Sequence, residues 1–383
     1  MILHLRSNLS KSPLKIVDLT SSGEGVARQD GKAIFIDGAL PGETVEAEIT
    51  QSKKRFSKAR LTAILQPSAD RVKPICPLFG TCGGCQIMHL SYSMQLKWKR
   101  SRVENALKRI AKIDTPVQPT IASPDQLYYR HKVQLHSGGF YKRHTHTTIP
   151  IPKCYIHNQT GDTHLPQVKN CREATIRTSS TTQETLLICD GKPNKSHITE
   201  KLSNLTFHIG PHDFFQINPR QAAQLYEKAL SFGNLTPKSH VLDAYCGVGT
   251  LTLLAAQKSH NVIGVESGRT AIQNARKNAQ LNNITNATFH CDLVENKIAS
   301  LGSFDTIFLN PPRSGTDPQV LQAIVQNPPQ TLIYISCDPA TLARDLTILN
   351  PLFTITHIQP FDLFPQTTHV ETLVCLKREA ATR

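Results

Sequence analysis

Two groups of residues in this 383-residue chain have types and spacings suited to chemistry. The first is CPLFGTCGGC, 76–85, where Cys76, Cys82 and Cys85 crowd one glycine-rich loop. A redox pair of the thioredoxin kind would need a helix directly after its second cysteine. Here QIMHLS follows, and a third cysteine stands upstream. Metal or cluster ligation is therefore the leading reading, and a set of four thiolates suits zinc as well as iron–sulfur. The second group centres on Cys337 in YISCDPATLARDL, 334–346. It sits where a strand-like run gives way to a helical one. A helix N-terminus favours thiolate over thiol, so the pattern predicts a nucleophile with a lowered pKa.

The partners of that nucleophile lie on neighbouring turns. DAYCGVGTLTL, 243–253, is a glycine-bearing strand-to-helix turn with Gly247 and Gly249, yet it lacks the third glycine of G-x-G-x-x-G. No Gly-Lys-Ser/Thr follows, which excludes a P-loop. About 20 residues on, NVIGVE ends in Glu266, placed to accept from the hydroxyls of a ribose. Nicotinamide dinucleotides and S-adenosylmethionine both carry one, and the form D-x-x-C-G-x-G favours S-adenosylmethionine. Asp292, after the next strand, is placed to meet the adenine amino group. FLNPPRSG, 308–315, makes a rigid corner at Asn310 beside that cofactor. N-P-P alone would suit methylation of an exocyclic amine, which needs no nucleophile. Cys337 instead suits C5 of a pyrimidine, which becomes reactive once a thiolate adds to C6. That route requires a base for the C5 proton. Glu371, isolated among apolar neighbours in HVETLV, is the candidate, and burial would raise its pKa.

Three regions must position these residues. Residues 1–67 alternate short β-branched runs with Gly, Asp-Gly and Pro-Gly turns, which predicts a small barrel. Residues 91–113 have helical apolar spacing, and 115–210 are β-rich and irregular. Up to residue 164 that stretch holds Cys154 and six histidines, at 131, 136, 144, 146, 157 and 164, which match no zinc spacing and most of which are expected at the surface or facing RNA. From 211 onward strand-like and helical runs alternate, which predicts a mostly parallel sheet covered on both faces. Lys and Arg total 43 against 29 Asp and Glu, a formal charge of +14. The excess recurs in KKRFSKAR, KWKRSR, YKRH and ARKN, as a surface for a polyanion would require. No apolar run of about 18 residues predicts a membrane span. MILHLRSNLSKSPLK has neither the apolar run nor the cleavage site of a signal peptide, so a cytoplasmic location is expected.

The ordered set CPLFGTCGGCQ, YYRHK, DFFQINP, DAYCGVGTLTL, NPPRSG, SCDPATLARDL and FPQTTHVETLV resembles the RNA 5-methyluridine methyltransferases over nearly the whole chain. GEGVAR…IFIDGALPGETV resembles the TRAM RNA-binding domain, and members with TRAM and a cluster are similar to the 23S ribosomal RNA enzymes. The resemblance implies an α/β Rossmann-like S-adenosylmethionine methyltransferase domain (91–114 and 211–383). It also implies an N-terminal TRAM or OB-like β-barrel (1–67) and a β-rich iron–sulfur middle domain (68–90 and 115–210). The 91–113 helix would pack on the catalytic domain. Cys337 would be the nucleophile and Glu371 the base. Gln216, Tyr245, Thr250, Glu266, Asp292 and Asn310 would bind the cofactor, with Gln216 and Phe214 also at the target base. Cys76, Cys82, Cys85 and Cys154 would hold a 4Fe–4S cluster, with zinc as the alternative and Cys171 as a substitute ligand. Cys189, Cys246, Cys291 and Cys375 are expected in the core. The implied partner is RNA, ribosomal ahead of transfer, bound by a monomer.

The family motif is D-P-P-R, whereas this chain has Asn310 in place of the acid, and its middle region is short for a ribosomal member. Two other readings therefore stand beside uridine C5 methylation. One is N-methylation through NPPR, and the other is an RNA-binding protein with impaired catalysis.

Overall fold

A computed structural model describes residues 13–379; the leader-free reading of the N-terminus lies outside the described residues. The chain divides into two units. One comprises residues up to 95 together with 141–147 and 366–368, and the other the remainder. No described helix is long and apolar enough to cross a membrane.

In the first unit, β1 (Leu14–Leu19), β2 (Gly25–Gln29), β3 (Lys32–Asp37), β4 (Thr44–Ser52) and β5 (Phe56–Gln66) close into a barrel of order β1-β2-β3-β5-β4. Alternate residues turn inward, so Ile16, Ala27, Ile34, Ile36, Val45, Ala47 and Ala59 form its core. Closure leaves no open edge for another chain to pair with. Gly25 is required where the chain passes Ala39, because a Cβ there would lie 2.8 Å from the Ala39 carbonyl oxygen. Two distant segments join this unit through the cysteine loop. The Gly83 N–H donates to Tyr141 O (2.9 Å) and the Arg143 N–H to Thr81 O (2.8 Å). The Gln86 and Ile87 N–H groups both donate to Gln366 O, at 3.2 and 3.1 Å.

Helix α1 (Tyr92–Ala106) continues from this unit into the second. There β6 (Lys132–His136), β7 (Gly139–Tyr141), β8 (Thr148–Pro150), a short α2 (Gln159–Asp162), β9 (Glu173–Thr178), β10 (Thr185–Cys189) and β11 (Lys192–Pro193) follow. Their sheet has the order β11-β10-β9-β6-β7-β8. Cys171 is disulfide-bonded to Cys189, which removes Cys171 as a substitute cluster ligand and Cys189 as a free core thiol. His157 is fully buried and bonded to Asp162 (2.8 Å), an exception to the surface placement expected for most histidines of this region. Helix α2 is capped by Asn158, whose side chain accepts the Gly161 N–H. The hairpin β12 (Ile198–Leu202) and β13 (Leu205–Ile209) leads into the catalytic layers.

Those layers comprise α3 (Pro219–Gly233), β14 (His240–Ala244), α4 (Thr250–Ala256), β15 (Asn261–Glu266), α5 (Arg269–Leu281), β16 (Ala287–Cys291) and α6 (Val294–Lys297). They continue with β17 (Thr306–Leu309), α7 (Pro318–Gln326), β18 (Thr331–Ser336), α8 (Pro339–Leu349), β19 (Phe353–Phe361) and β20 (Glu371–Arg378). The sheet order is β16-β15-β14-β17-β18-β20-β19. Alternate residues serve opposite cores. Val241, Phe308, Ile333 and Leu373 pack with α3, α4 and α5. Leu242, Ile307, Leu332 and Val374 pack with Val103 and Leu107, from α1 and the turn after it, and with α7 and α8. Both faces are thus covered, which explains the continuous apolar runs of these strands. Cys246 and Cys375 are buried in this core, but Cys291, at the end of an edge strand, is exposed.

Candidate active site

In open sheets of this kind ligands bind beyond the carboxyl ends of the strands, at the point where strand order reverses. Here that point lies between β14 and β17. Tyr245, Glu266, Asn310 and Cys337 each stand at or just past the end of a parallel strand. β20 runs antiparallel to β18, so its first residue reaches the same edge. The pairing of Ser336 with Thr372 extends by one residue to set Cys337 across from Glu371.

A cavity of about 870 Å³ opens there. Its wall includes Phe214, Gln216, Tyr245, Gly247, Glu266, Asn310, Cys337 and Glu371, residues drawn from well-separated stretches of sequence. The cofactor turn is built by backbone geometry. Tyr245 (φ 69°), Gly247 (φ 56°) and Gly249 (φ 84°) all adopt the left-handed conformation. At Gly249 a Cβ would also lie 3.2 Å from the Phe289 ring. The Glu266 carboxylate accepts the N–H of Gly247 (3.3 Å) and of Gly268 (2.8 Å), which holds it beside that turn. Thr250 opens α4 and lines a smaller recess shared with Tyr245 and Asn310. Asp292 turns back on its own turn, accepting the Leu293 N–H (2.8 Å) and the Asn296 amide (3.3 Å). Leu293 and Glu295, rather than Asp292, line the cavity there.

Gln216 is buried, and its side chain is hydrogen-bonded to the Tyr226 hydroxyl. Phe214 is 64% exposed and presents its ring at the cavity wall. The loop that carries them is anchored by Asp213, which accepts the Gly210 N–H (2.7 Å) and the Asn274 amide (2.6 Å).

The electrostatics differ from the sequence expectation at Cys337. Asp338 caps α8 by accepting the Ala340 and Thr341 N–H groups. Burial nevertheless outweighs the helix dipole and, with the Glu371 charge, pushes the Cys337 thiol up to about 11. Arg313 opposes both effects. Burial likewise pushes Glu371 up to about 8, again opposed by Arg313. His369 is pushed down to about 4, first by burial and then by Arg313 and other cations, so its imidazole is neutral at physiological pH. An Arg313 Nη2 donates to His369 Nε2 at 3.4 Å. Sequence reasoning quoted both residues within motifs without giving them roles; two further polar groups flanking one thiol–carboxyl pair were the available signal.

Of the four cysteines matched to a cluster, Cys76, Cys82 and Cys85 lie in the first unit and Cys154 in the second. All four are free of disulfides and half-buried. The Gly84 N–H points at Cys82 Sγ (3.4 Å). One other group in the first unit has ligand-like spacing, Glu24, Asp37 and His144. Arg143 and Lys58 already balance its carboxylates.

Residues 294–379 match the family described as tRNA (Uracil-5-)-methyltransferase, 10–62 match the TRAM domain, and 221–333 match the methyltransferase small domain. The chain is 34% identical to an uncharacterized RNA methyltransferase of Listeria innocua, over 95% of this chain and 96% of that one. It is also 34% identical to an uncharacterized RNA methyltransferase of Halalkalibacterium halodurans, over 94% and 96%. Among solved structures it resembles the Pyrococcus abyssi tRNA (uracil-54, C5)-methyltransferase in complex with S-adenosyl-L-homocysteine. That likeness has a TM-score of 0.79 and 26% identity, and covers 95% of this chain and all of that one. The chain belongs to the RNA uracil-5-methyltransferase family, as an S-adenosylmethionine-dependent RNA methyltransferase with an N-terminal TRAM domain.

Proposed function

We propose that the protein methylates C5 of a uridine in RNA through a covalent Cys337–C6 adduct resolved by Glu371. The observation that carries this reading is that both side chains line one cavity from facing positions of adjacent strands. With Glu371 protonated, Cys337 loses the neighbouring negative charge and keeps the attraction of Arg313, and both favour loss of the thiol proton to solvent against the burial that opposes it. Addition of the Cys337 sulfur to C6 pushes the C5=C6 electrons onto C5 and the O4 carbonyl. Glu266, Tyr245, Gln216, Thr250, Asp292 and Asn310 would hold S-adenosylmethionine, which would supply the methyl group for C5 and leave as S-adenosylhomocysteine. Glu371, once it has passed its own proton to solvent, then takes the C5 proton. The C–H electrons re-form C5=C6 and expel the Cys337 thiolate. A uridine stacked in RNA must be turned out to reach the cavity. Phe214 offers a face for it to stack on, and Gln216 an amide for its edge.

The barrel contributes RNA affinity. Lys53, Lys54 and Arg55 are exposed on the β4–β5 hairpin, and the Lys53 ammonium lies 5.5 Å from the Phe56 ring centre, a combination of charge and stacking suited to single-stranded RNA. In this reading the chain has three functional parts with the boundaries given above, and Cys76, Cys82, Cys85 and Cys154 hold a 4Fe–4S cluster. Four half-buried cysteines outside any disulfide and an N–H aimed at one sulfur suit that group chemically. The target is a uridine of 23S ribosomal RNA, supported by the combination of TRAM with the four cysteines. A transfer RNA target is the second reading, because the Pyrococcus abyssi neighbour acts on tRNA uracil-54. Mapping 5-methyluridine in 23S ribosomal and transfer RNA, with and without the gene, tests both. Loss from neither RNA would overturn the proposed activity.

A further inference from the structure

Lys132 of β6 stands directly opposite Arg177 of β9 in an antiparallel pair. Like charges facing across a ladder are destabilising. Arg177 is only 3% exposed. One of its nitrogens donates to the Asp213 backbone oxygen, while Nε and Nη1 have no partner. A third cation joins them, since Arg130 Nε donates to the Lys132 carbonyl at 2.9 Å. None of the three forms an ion pair among the described residues. The nearby Asp213 carboxylate is engaged by Gly210 and Asn274. Repulsion is visible in Lys132, pushed down to about 8 first by burial and then by Arg177 and Arg130. A buried guanidinium with two unmet donors beside two more cations is costly unless an anion completes the set.

We propose that Arg130, Lys132 and Arg177 form a site for a phosphodiester of the RNA substrate, beside the cavity that receives the target base. The site is tied to that cavity. The His131 N–H, between the first two cations, donates to Ile217 O at 2.7 Å, and Ile217 lines the cavity wall. The charge of Arg130 also reaches His369 in the same wall. Lys132 and Arg130 are half-exposed and would touch the phosphate, while Arg177 supplies field from beneath. This site rests on the reading of the cavity as a uridine site, because an RNA strand that inserts a base there must lay its backbone at the rim.

The test uses the full-length protein with ribosomal and bulk transfer RNA from cells lacking the gene. RNA affinity is measured against salt for wild type, Lys132→Gln, Arg130→Gln and Lys258→Gln. The last removes an exposed lysine before β15, at the opposite end of the sheet. Each of the first two should weaken binding roughly tenfold at 0.1 M salt and lower the salt slope by about 0.9, against a negligible change for Lys258→Gln. S-adenosylmethionine affinity should be retained, and thermal stability should hold or rise as repulsion is relieved, which excludes misfolding. Wild-type RNA affinity and slope in Lys132→Gln and Arg130→Gln would overturn the site while leaving the methyltransferase reading intact. An equal loss in Lys258→Gln would reduce it to general charge. If inorganic phosphate stabilises wild type but not Lys132→Gln while RNA binding is unchanged, the site takes a free anion and the RNA assignment is wrong. No RNA binding by wild type would overturn the underlying reading itself.

Discussion

Cys337 and Glu371 occupy facing positions where β18 and β20 meet the cavity, the one at the end of its strand and the other at the beginning. Antiparallel pairing is what allows this. Had β20 run parallel to β18, its first residue would lie at the far edge of the sheet, away from the thiol.

In the proposed mechanism the two residues act at different stages, so their variants should fail differently. Cys337→Ala should bind RNA but form neither adduct nor product. Glu371→Gln should accumulate a methylated protein–RNA adduct that survives a denaturing gel. Wild type should be trapped likewise by RNA containing 5-fluorouridine, because fluorine cannot leave as a proton does. Methylation by Cys337→Ala would sink the C5 mechanism in favour of N-methylation.

Burial holds the Glu371 proton far more tightly in the folded protein than in the unfolded chain, at about 8 against an ordinary value of 4.5. Between those values the folded state binds more protons, so this group lowers stability as pH rises, with no penalty below 4.5 and the full penalty above 8. Glu371→Gln should therefore be stabilising by on the order of 2–4 kcal/mol at pH 9 and by nearly nothing at pH 4. Urea unfolding of both proteins across that range checks the sign. A difference independent of pH would show that Glu371 is not held protonated.

Arg313 draws down both Cys337 and Glu371. Arg313→Gln should cost about 10²-fold in kcat with a smaller change in KM, as the loss of a charge acting on developing anions does. It should also move the basic limb of the rate profile upward and slow adduct formation with 5-fluorouridine RNA. A pure KM effect would assign Arg313 to RNA binding alone.

Protein purified without oxygen should be brown, with iron and sulfide near about four each per chain. Alanine at Cys76, Cys82, Cys85 or Cys154 should bleach it. Alanine at Cys171 should not, because that sulfur is bonded to Cys189. Stoichiometric zinc without sulfide would replace the cluster with a structural metal.

Asn310 lines both the cavity and its recess. If the amide suffices for positioning, Asn310→Asp should change kcat by less than about tenfold, a difference of roughly 1.4 kcal/mol in the barrier. An inactive wild type made active by Asn310→Asp would instead mark this chain as an RNA binder with impaired catalysis.

Much of the site was legible because strand ends leave local marks. A glycine-bearing turn, an acid closing an apolar run and Asn-Pro-Pro each announce a strand tip. The barrel was legible because period-two alternation broken by Gly turns leaves few other outcomes. What escaped depends on pairing between distant segments. No local pattern shows that β20 reverses direction, that Cys171 meets Cys189, or that Arg313 reaches His369. The Cys337 thiol was misjudged because a helix dipole can be read from Asp338-Pro339, whereas the burial that overrides it comes from surrounding elements. For a related reason no local pattern shows that Asp292 accepts from its own turn while Leu293 and Glu295 line the cavity beside it.

The hydrogen bonds from Gln86 and Ile87 to Gln366 bear on the order of assembly. The Gln95 amide reaches Gln366 Oε1 at 3.0 Å across 271 residues of chain, and Glu371 follows only five positions later. Loops that long close late. During synthesis the barrel and the cysteine loop emerge long before the segment they grip. The base of the proposed mechanism is thus seated only once that segment arrives, and a chain stalled before it that already holds RNA lacks the means to finish the reaction on it.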